Sequence, residues 1–314
     1  MWLSEIMLQQ TTVVTVGPYF EDFTTRWPTL NDLAAADLND VLHAWAGLGY
    51  YARARNLHKC AGVVARDYGA VFPDTEEQLL KLPGIGPYTA AAIAAIAFQR
   101  RSAPVDGNII RVVSRLLKLE TPLPGLKKEI SEKFKPLVPE KRPGDFVQAM
   151  MDLGAGICTP RNPKCKSCPW GGSCKAHKKN VAADLPRKAE KKKKPTRYGT
   201  VFWLENSDGE VLLRRRPEKG LLGGMMEFPS TDWREQSWKK DEALREAPQN
   251  SDWQTLPGGV RHTFTHFHLE LTVMSGGGGR KAQSNGVWST PERLSEHALP
   301  TVMKKIAHHV AESA

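Results

Sequence analysis

The sequence predicts a multidomain α and α+β molecule: an all-α domain followed by a smaller α+β domain. Three observations predict it. Helical periodicity runs to about residue 157, a cysteine-rich loop and a basic stretch then interrupt the chain, and alternating apolar runs with hairpin turns follow. A length of 314 residues fits about two domains at roughly 100–200 residues each. Hydrophobic residues at 40% and charged residues at 25% exclude a disordered or fibrous chain. The longest apolar run, around Ala90–Phe98, falls short of the ~20 residues that span a bilayer. Glu5 interrupts the opening segment, so a secretory leader is not expected. The net charge of +10 points to a polyanionic partner, nucleic acid first and an acidic membrane surface second.

The boundaries read as residues 1–157 for the helical domain, 158–180 for the cysteine loop, 181–198 for a basic linker and 199–314 for the last domain. In the first, Leu3, Ile6, Met7, Val13 and Val14 form one apolar stripe, and Ile109, Ile110, Val112, Val113, Leu116 and Leu117 form another. Thr89 to Phe98 is nearly all apolar and Ala-rich, which predicts a buried helix. Arg187, Lys188, Lys191 to Lys194 and Arg197 face one acid, Glu190, so this run is expected to be an exposed linker. Beyond it, Thr200–Leu204, Glu210–Arg214 and Leu269–Val273 read as strands, with Asn206-Ser-Asp-Gly209 as the hairpin turn between the first two. Gly276–Gly279 reads as a flexible loop and Val302–Val310 as a closing helix.

Asp74 to Phe98 is the most informative stretch. Thr75 and Gln78 make a capping-box start, and Leu82-Pro-Gly-Ile-Gly86 ends that helix. Pro87 opens the next helix at its favoured first position. Gly84 and Gly86 permit positive φ and a close approach of the backbone to a ligand. Free N–H groups at a helix start favour an anion, and a DNA phosphate fits as well as a tight packed turn does. The stretch resembles the helix-hairpin-helix of the endonuclease III superfamily of DNA glycosylases. That resemblance implies a helix-hairpin-helix glycosylase fold, with a catalytic Asp about twenty residues past the hairpin. Val105-Asp106-Gly107-Asn108 stands there, and Asp106 is also a fitting N-cap for the Ile109–Leu117 helix.

Four of five cysteines fall at Cys158-x6-Cys165-x2-Cys168-x5-Cys174, and four thiolates suit either zinc or an iron–sulfur cluster. The pattern resembles the [4Fe–4S] loop of the same superfamily, which follows a helix like Phe146–Ile157; zinc is the alternative. Lys164, Lys166 and Lys175 among the cysteines suit a phosphate backbone, and Cys60 reads as a buried structural thiol.

Trp2-Leu-Ser-Glu-Ile-Met-Leu-Gln-Gln-Thr11 and Gly47-Leu-Gly-Tyr-Tyr-Ala-Arg-Ala-Arg-Asn-Leu57 resemble motifs of the MutY family of adenine glycosylases. Leu212–Pro217, Gly220–Gly224 and Glu227–Pro229 resemble that family's C-terminal Nudix-like domain, without the acidic box that hydrolyses nucleoside diphosphates. Bifunctional relatives carry a Schiff-base Lys two residues after the last hairpin Gly. Tyr88 stands there, so monofunctional base excision is implied.

The resemblance implies that Glu5 is the general acid, protonating adenine at N7, and that Asp106 stabilises the sugar cation. Tyr88 and Asn108 would orient these groups and the water. Gln10, Thr11, Leu48, Gly49 and Tyr50 would hold DNA beside the mismatch, Gly84 and Gly86 the backbone, and Phe264-Thr265-His266 would read 8-oxoguanine, with Thr in place of the family's Ser. The family's substrate is duplex DNA with adenine opposite 8-oxoguanine or guanine, acted on by a monomer in the cytoplasm beside the nucleoid. The family places a helix and basic residues ahead of the first motif, whereas Met1 precedes Trp2 directly here. A truncated start is therefore one reading. The first turn is expected to fray, leaving Glu5 wet with little pKa elevation. A pyrimidine-directed glycosylase of the same superfamily, or a DNA-binding protein without chemistry, are the competing readings.

Overall fold

The computed structural model describes residues 1–189, 193–217, 219–278 and 286–313. The chain divides into two compact units, Met1–Ala35 with Asn56–Lys191 and Ala36–Arg55 with Lys192–Ala314. The short segment Ala36–Arg55 thus groups with the C-terminal part of the chain.

The helices in chain order are α1 (Trp2–Met7), α2 (Val13–Arg26), α3 (Leu30–Ala35), α4 (Leu38–Ala44), α5 (Ala52–Asp67), α6 (Glu76–Leu79), α7 (Pro87–Ile96), α8 (Gly107–Leu117), α9 (Leu126–Phe134), α10 (Pro143–Asp152), α11 (Lys175–Lys178), α12 (Lys240–Leu244) and α13 (Thr301–Ser313). In the first unit α7 is the central rod, and Thr89 to Ala95 are all buried, as its composition predicts. Cys60, Val64, Leu79, Leu82 and Ile85 pack around its Ala90, Ile93 and Ala94. A second cluster joins Ile109, Ile110, Val112 and Val113 of α8 to Leu126, Ile130 and Phe134 of α9. Each such side chain contributes about 1.5–3 kcal/mol on burial.

The second unit is built on a mixed sheet of β1 (Thr196–Asn206), β2 (Val211–Arg215), β3 (Met226–Glu227), β4 (Gln254–Thr255), β5 (Val260–Thr263), β6 (His268–Gly278) and β7 (Gly286–Ser289). Its order is β3-β2-β1-β6-β4, with β5 also on β6 and β7 on β2. β1 and β2 form the expected hairpin, with Asn206 Oδ1 accepting from the amides of Asp208 and Glu210. β1 pairs in parallel with β6 along its whole length, Thr196 opposite His268 and Asn206 opposite Gly278. Alternation along β1 serves two cores. Val201 and Trp203 join Val302, Met303 and Ile306 of α13, while Phe202 and Leu204 join Trp253, Met274 and the flank of Leu244 in α12. Among the described residues, no helix is long and apolar enough to cross a membrane.

Four expectations are corrected. The N-terminal stripe is broken, because α1 ends at Met7 and Thr12 caps a separate helix; Val13 and Val14 lie on its outer side, 73% and 88% exposed. Gly276 to Gly278 are strand, not loop: a Cβ at Gly276 would stand 2.7 Å from the Trp253 ring, so glycine there admits that indole. Gly279 lies outside the described residues. Of the two hairpin glycines only Gly84 has positive φ (75°), while Gly86 is an extended N-cap. The basic stretch is not wholly free either. Arg187 gives its carbonyl to the amide of Leu123 and pairs with Glu120, and Lys188 bridges Leu123. Glu190, Lys191 and Lys192 of that stretch lie outside the described residues.

Candidate active site

Glu5 sits on α1, whose inner side is anchored by buried Ile6 and Met7 and by Trp2 against Phe72, ring centroids 5.0 Å apart. One turn on, Gln9 Nε2 donates to Thr89 Oγ1 of α7 at 3.2 Å. Gln9 lies in the turn just past α1, so this bond ties the end of the segment that carries Glu5 to the first turn of α7. There the Tyr88 hydroxyl donates to Glu5. The Glu5 pKa is raised, chiefly by burial and further by the Asp106 charge, against the lowering effects of the Tyr88 hydrogen bond and the Met1 amino group. The expected wet acid is thus corrected: the first turn is formed, with the Glu5 amide bonded to the Met1 carbonyl at 3.0 Å. The Tyr88 phenol is itself pushed up, first by burial and then by the charges of Glu5 and Asp106.

Asp106 is the N-cap of α8. Its Oδ1 accepts from the Ile109 amide at 2.7 Å, and its Oδ2 accepts from Asn108 Nδ2 at 2.9 Å. Asn108 is held in turn, because Arg111 Nη2 donates to its Oδ1 at 2.7 Å. The same guanidinium donates to the carbonyls of Gly154 and Cys158, both at 2.6 Å. A continuous polar chain therefore runs from the Asp106 carboxylate to the backbone of the first loop cysteine. The structure brings Glu5, Tyr88, Asp106 and Asn108 to one place, two carboxyl groups from segments far apart in sequence.

Cys158, Cys165, Cys168 and Cys174 line one small cavity. Arg115, only 2% exposed, donates through Nη1 to the Cys158 sulfur at 3.3 Å and to the Thr159 carbonyl at 2.8 Å, and through Nε to the Leu185 carbonyl at 2.9 Å. Burial raises the Cys165 thiol, and the other three sulfurs act on it as well. Among the described residues, no three His, Cys, Asp or Glu side chains close in tightly enough to hold a single ion. Cys60 is fully buried and apart from them, its thiol pushed up to about 12 by burial.

The hairpin is closed by buried Leu82 and Ile85, with Pro87 at the head of α7. Gly84 is there for two reasons: its φ of 75° and the Cβ of Asn56, which would stand 2.6 Å from a Cβ at position 84. Gln10, with φ of 62°, is exposed beside Thr11 in the turn between α1 and α2.

The second unit assembles a separate group. Tyr50, 47% exposed with φ of 49°, shares a hydroxyl–hydroxyl hydrogen bond of 2.9 Å with Thr265. Leu48 is buried, and the carbonyl of Gly49 accepts from Trp45 Nε1 and Arg53 Nη2, both at 3.1 Å. Arg53 lies over the Trp45 ring, and burial lowers its pKa to about 10. Phe264 packs between Trp233 and Phe267, Lys194 donates to its carbonyl at 3.0 Å, and Thr265 and His266 are left exposed at the loop tip.

Sequence reasoning missed Arg53, Arg111 and Arg115. The two on α8 stand four residues apart, a spacing that reads as a solvated charged stripe; the signal was their place one and two turns beyond Asp106.

Comparison with known proteins identifies both domains. Residues 3–140 match the HhH-GPD superfamily of base excision DNA repair proteins, and residues 200–309 match the NUDIX domain. An adenine DNA glycosylase of Rattus norvegicus is 34% identical over 361 residues, covering 97% of this chain and 70% of the relative. That of Buchnera aphidicola subsp. Schizaphis graminum is 32% identical, covering 97% of this chain and 89% of the relative. The chain belongs to the adenine DNA glycosylase family. Among solved structures, a thermostable thymine-DNA glycosylase matches 57% of this chain and 83% of its own, with TM-score 0.52 and 32% identity. An endonuclease III–DNA complex matches at TM-score 0.50 and 24% identity, a likeness of fold. The glycosylase is accordingly an enzyme of base excision repair, a helix-hairpin-helix domain joined to a Nudix-like one.

Proposed function

We propose that this chain hydrolyses the N-glycosidic bond of adenine mispaired with 8-oxoguanine or guanine, using Glu5 and Asp106 as its two carboxyl groups. The observation that carries the reading is the meeting of two carboxyl groups from distant segments: Glu5, hydrogen-bonded by Tyr88 and within electrostatic reach of Asp106, and Asp106, held by Asn108 and the Ile109 amide. Adenine stacked in a duplex is out of reach, so it must be flipped into the pocket at a cost of about a few kcal/mol. Glu5 then gives its proton to adenine N7. The glycosidic electron pair leaves with the base, which departs neutral. The sugar cation develops beside the Asp106 carboxylate, which Asn108 and the Ile109 amide hold in place. Water adds to the sugar carbon, and its proton returns to Glu5. Tyr88 is a hydrogen-bond donor to the acid and no amine, which agrees with base excision without strand cleavage.

The four loop cysteines would hold a [4Fe–4S] cluster. Thiols spread around one cavity, with the buried Arg115 donating to one sulfur, suit a polynuclear group better than one zinc ion. When bound, the cluster supplies four covalent cross-links that brace the loop. Visible absorbance of the purified protein distinguishes it from colourless zinc.

Tyr50 and Thr265 are the residues proposed to meet the mispair, Thr265 reading 8-oxoguanine through its hydroxyl, with Gln10 and Thr11 placed against the strand. A monomer suffices for all of these roles. Single-turnover assays on duplexes bearing A opposite 8-oxoguanine, A opposite G and T opposite G test the reading. Adenine release from the first two and none of thymine is expected; release from neither adenine duplex overturns it.

A further inference from the structure

The tip between β5 and β6 presents Thr265 and His266 to solvent. Across its base the Phe264 amide donates to the Phe267 carbonyl at 2.9 Å, while the Phe264 carbonyl accepts from Lys194 Nζ. The tip is exposed, so what packs against Phe264 decides where its neighbour Thr265 stands. Aromatic rings surround that side chain. Trp233 stacks on it with centroids 5.7 Å apart and an interplanar angle of 29°. Phe267 lies 4.9 Å away, and His262 meets the ring in a T-shaped contact at 4.6 Å. Cations cover the outer members: Arg216 lies over Trp233 at 5.0 Å and Arg197 over Phe267 at 4.6 Å. Offset rings and guanidiniums on ring faces attract, so the group is held by its own electrostatics as well as by burial.

Trp233 is the member brought in from outside the hairpin, and β1 places it. The Thr231 amide donates to the Thr200 carbonyl at 2.9 Å, and Arg234 exchanges backbone bonds of 3.1 and 2.7 Å with Tyr198. Between these ties the indole crosses β1 at Gly199, where a Cβ would stand 2.7 Å from Trp233 Cδ1 and 3.0 Å from Leu271 Cδ2. Its Nε1 is buried with no hydrogen-bond partner among the described residues. A buried donor left unmade is unfavourable, and an aliphatic residue would avoid it. What the indole offers in return is the ring face against Phe264.

We propose that Trp233 is a positioning residue for mispair recognition: its ring, seated over Gly199, fixes Phe264 and through it the Thr265 hydroxyl. The inference rests on the reading that Thr265 meets 8-oxoguanine.

The test is a titration of the full chain, at one ionic strength, with two duplexes. Both carry a fluorinated deoxyadenosine whose sugar resists cation formation, opposite 8-oxoguanine in one and guanine in the other. The readout is the ratio of the two affinities, which needs no adenine release. Trp233→Leu should lower the ratio roughly three- to tenfold, the worth of one well-placed hydrogen bond. Trp233→Phe keeps a ring face and should restore it. Gly199→Ala displaces the indole without removing it and should act like Trp233→Leu, so the comparison survives if one of the two fails to fold. Thr265→Val should lower the ratio by itself, and adding Trp233→Leu to it should change nothing more. Equal weakening of both duplexes by Trp233→Leu makes the indole plain packing and overturns the proposal. So does a Trp233→Phe ratio as low as that of Trp233→Leu, or a further loss in the Thr265→Val background. If Thr265→Val lowers the ratio and Trp233→Leu does not, the inference alone fails. If Thr265→Val leaves the ratio unchanged, the reading of Thr265 fails and the inference falls with it.

Discussion

At Glu5, burial and the neighbouring Asp106 charge favour the neutral acid, while the Tyr88 hydroxyl and the Met1 amino group favour the carboxylate. Burial is the largest influence, so the proton stays on above the ordinary carboxylate range. Because the acid form is the one that protonates adenine, the single-turnover rate should fall as pH rises through the raised Glu5 pKa. Tyr88→Phe removes a group that favours the carboxylate, so that descending limb should move to higher pH; a limb at the same pH would detach Tyr88 from the acid. Stability has the same sign. The folded chain holds the Glu5 proton more tightly than the unfolded one, so this contribution is complete below the unfolded pKa and is lost as pH rises through the folded value. Glu5→Gln should therefore abolish adenine release yet raise the melting temperature at about pH 8, with little difference at about pH 4. None of this was legible from Glu5 in the sequence, where a lone charge beside an apolar stripe looks solvated. Only the surrounding motif marked it.

At the scale of the element, α8 combines three tasks: its apolar face fills a core, its cap is Asp106, and its polar side is turned inward. The first two were readable, from periodicity and from an Asp before a helical run. The third was not, because Arg111 and Arg115 face carbonyls and a sulfur that only the returning cysteine loop supplies. The cap and the chemistry of Asp106 can be separated. Asp106→Asn keeps a capping oxygen and should melt near the parent while losing adenine release. Asp106→Ala should lose release and also about 0.5–2 kcal/mol of stability by urea unfolding. A stable, active Asn variant would remove Asp106 from the reaction. Arg111→Met cuts the tie between Asn108 and the cysteine loop. It should cost about 1–3 kcal/mol and slow adenine release without weakening mismatch affinity; an unchanged rate would show that Asn108 needs no support.

For the whole molecule, the surplus of Lys and Arg means that duplex affinity should fall steeply between low and moderate salt, as bound counterions are released. Gly84→Ala strains the hairpin and presses on Asn56, so it should weaken binding to matched and mispaired duplexes alike, measured by titration at one fixed ionic strength. Both domain types were visible in the sequence because each repeats its own period over many residues. The grouping of Ala36–Arg55 with the C-terminal unit was not, since it depends on contacts with chain that follows more than a hundred residues later.

The parallel union of β1 with β6 sets an order of events during synthesis. β1 leaves the ribosome with β2 close behind, but its other neighbour ends at Gly278, so the middle of the sheet stays open on one side until then. A message that stops short of β6 should yield a helical unit with a bare strand edge, ready to pair with copies of itself. Such fragments are expected in the insoluble fraction of cells, whereas chains that stop before β1 should remain in solution.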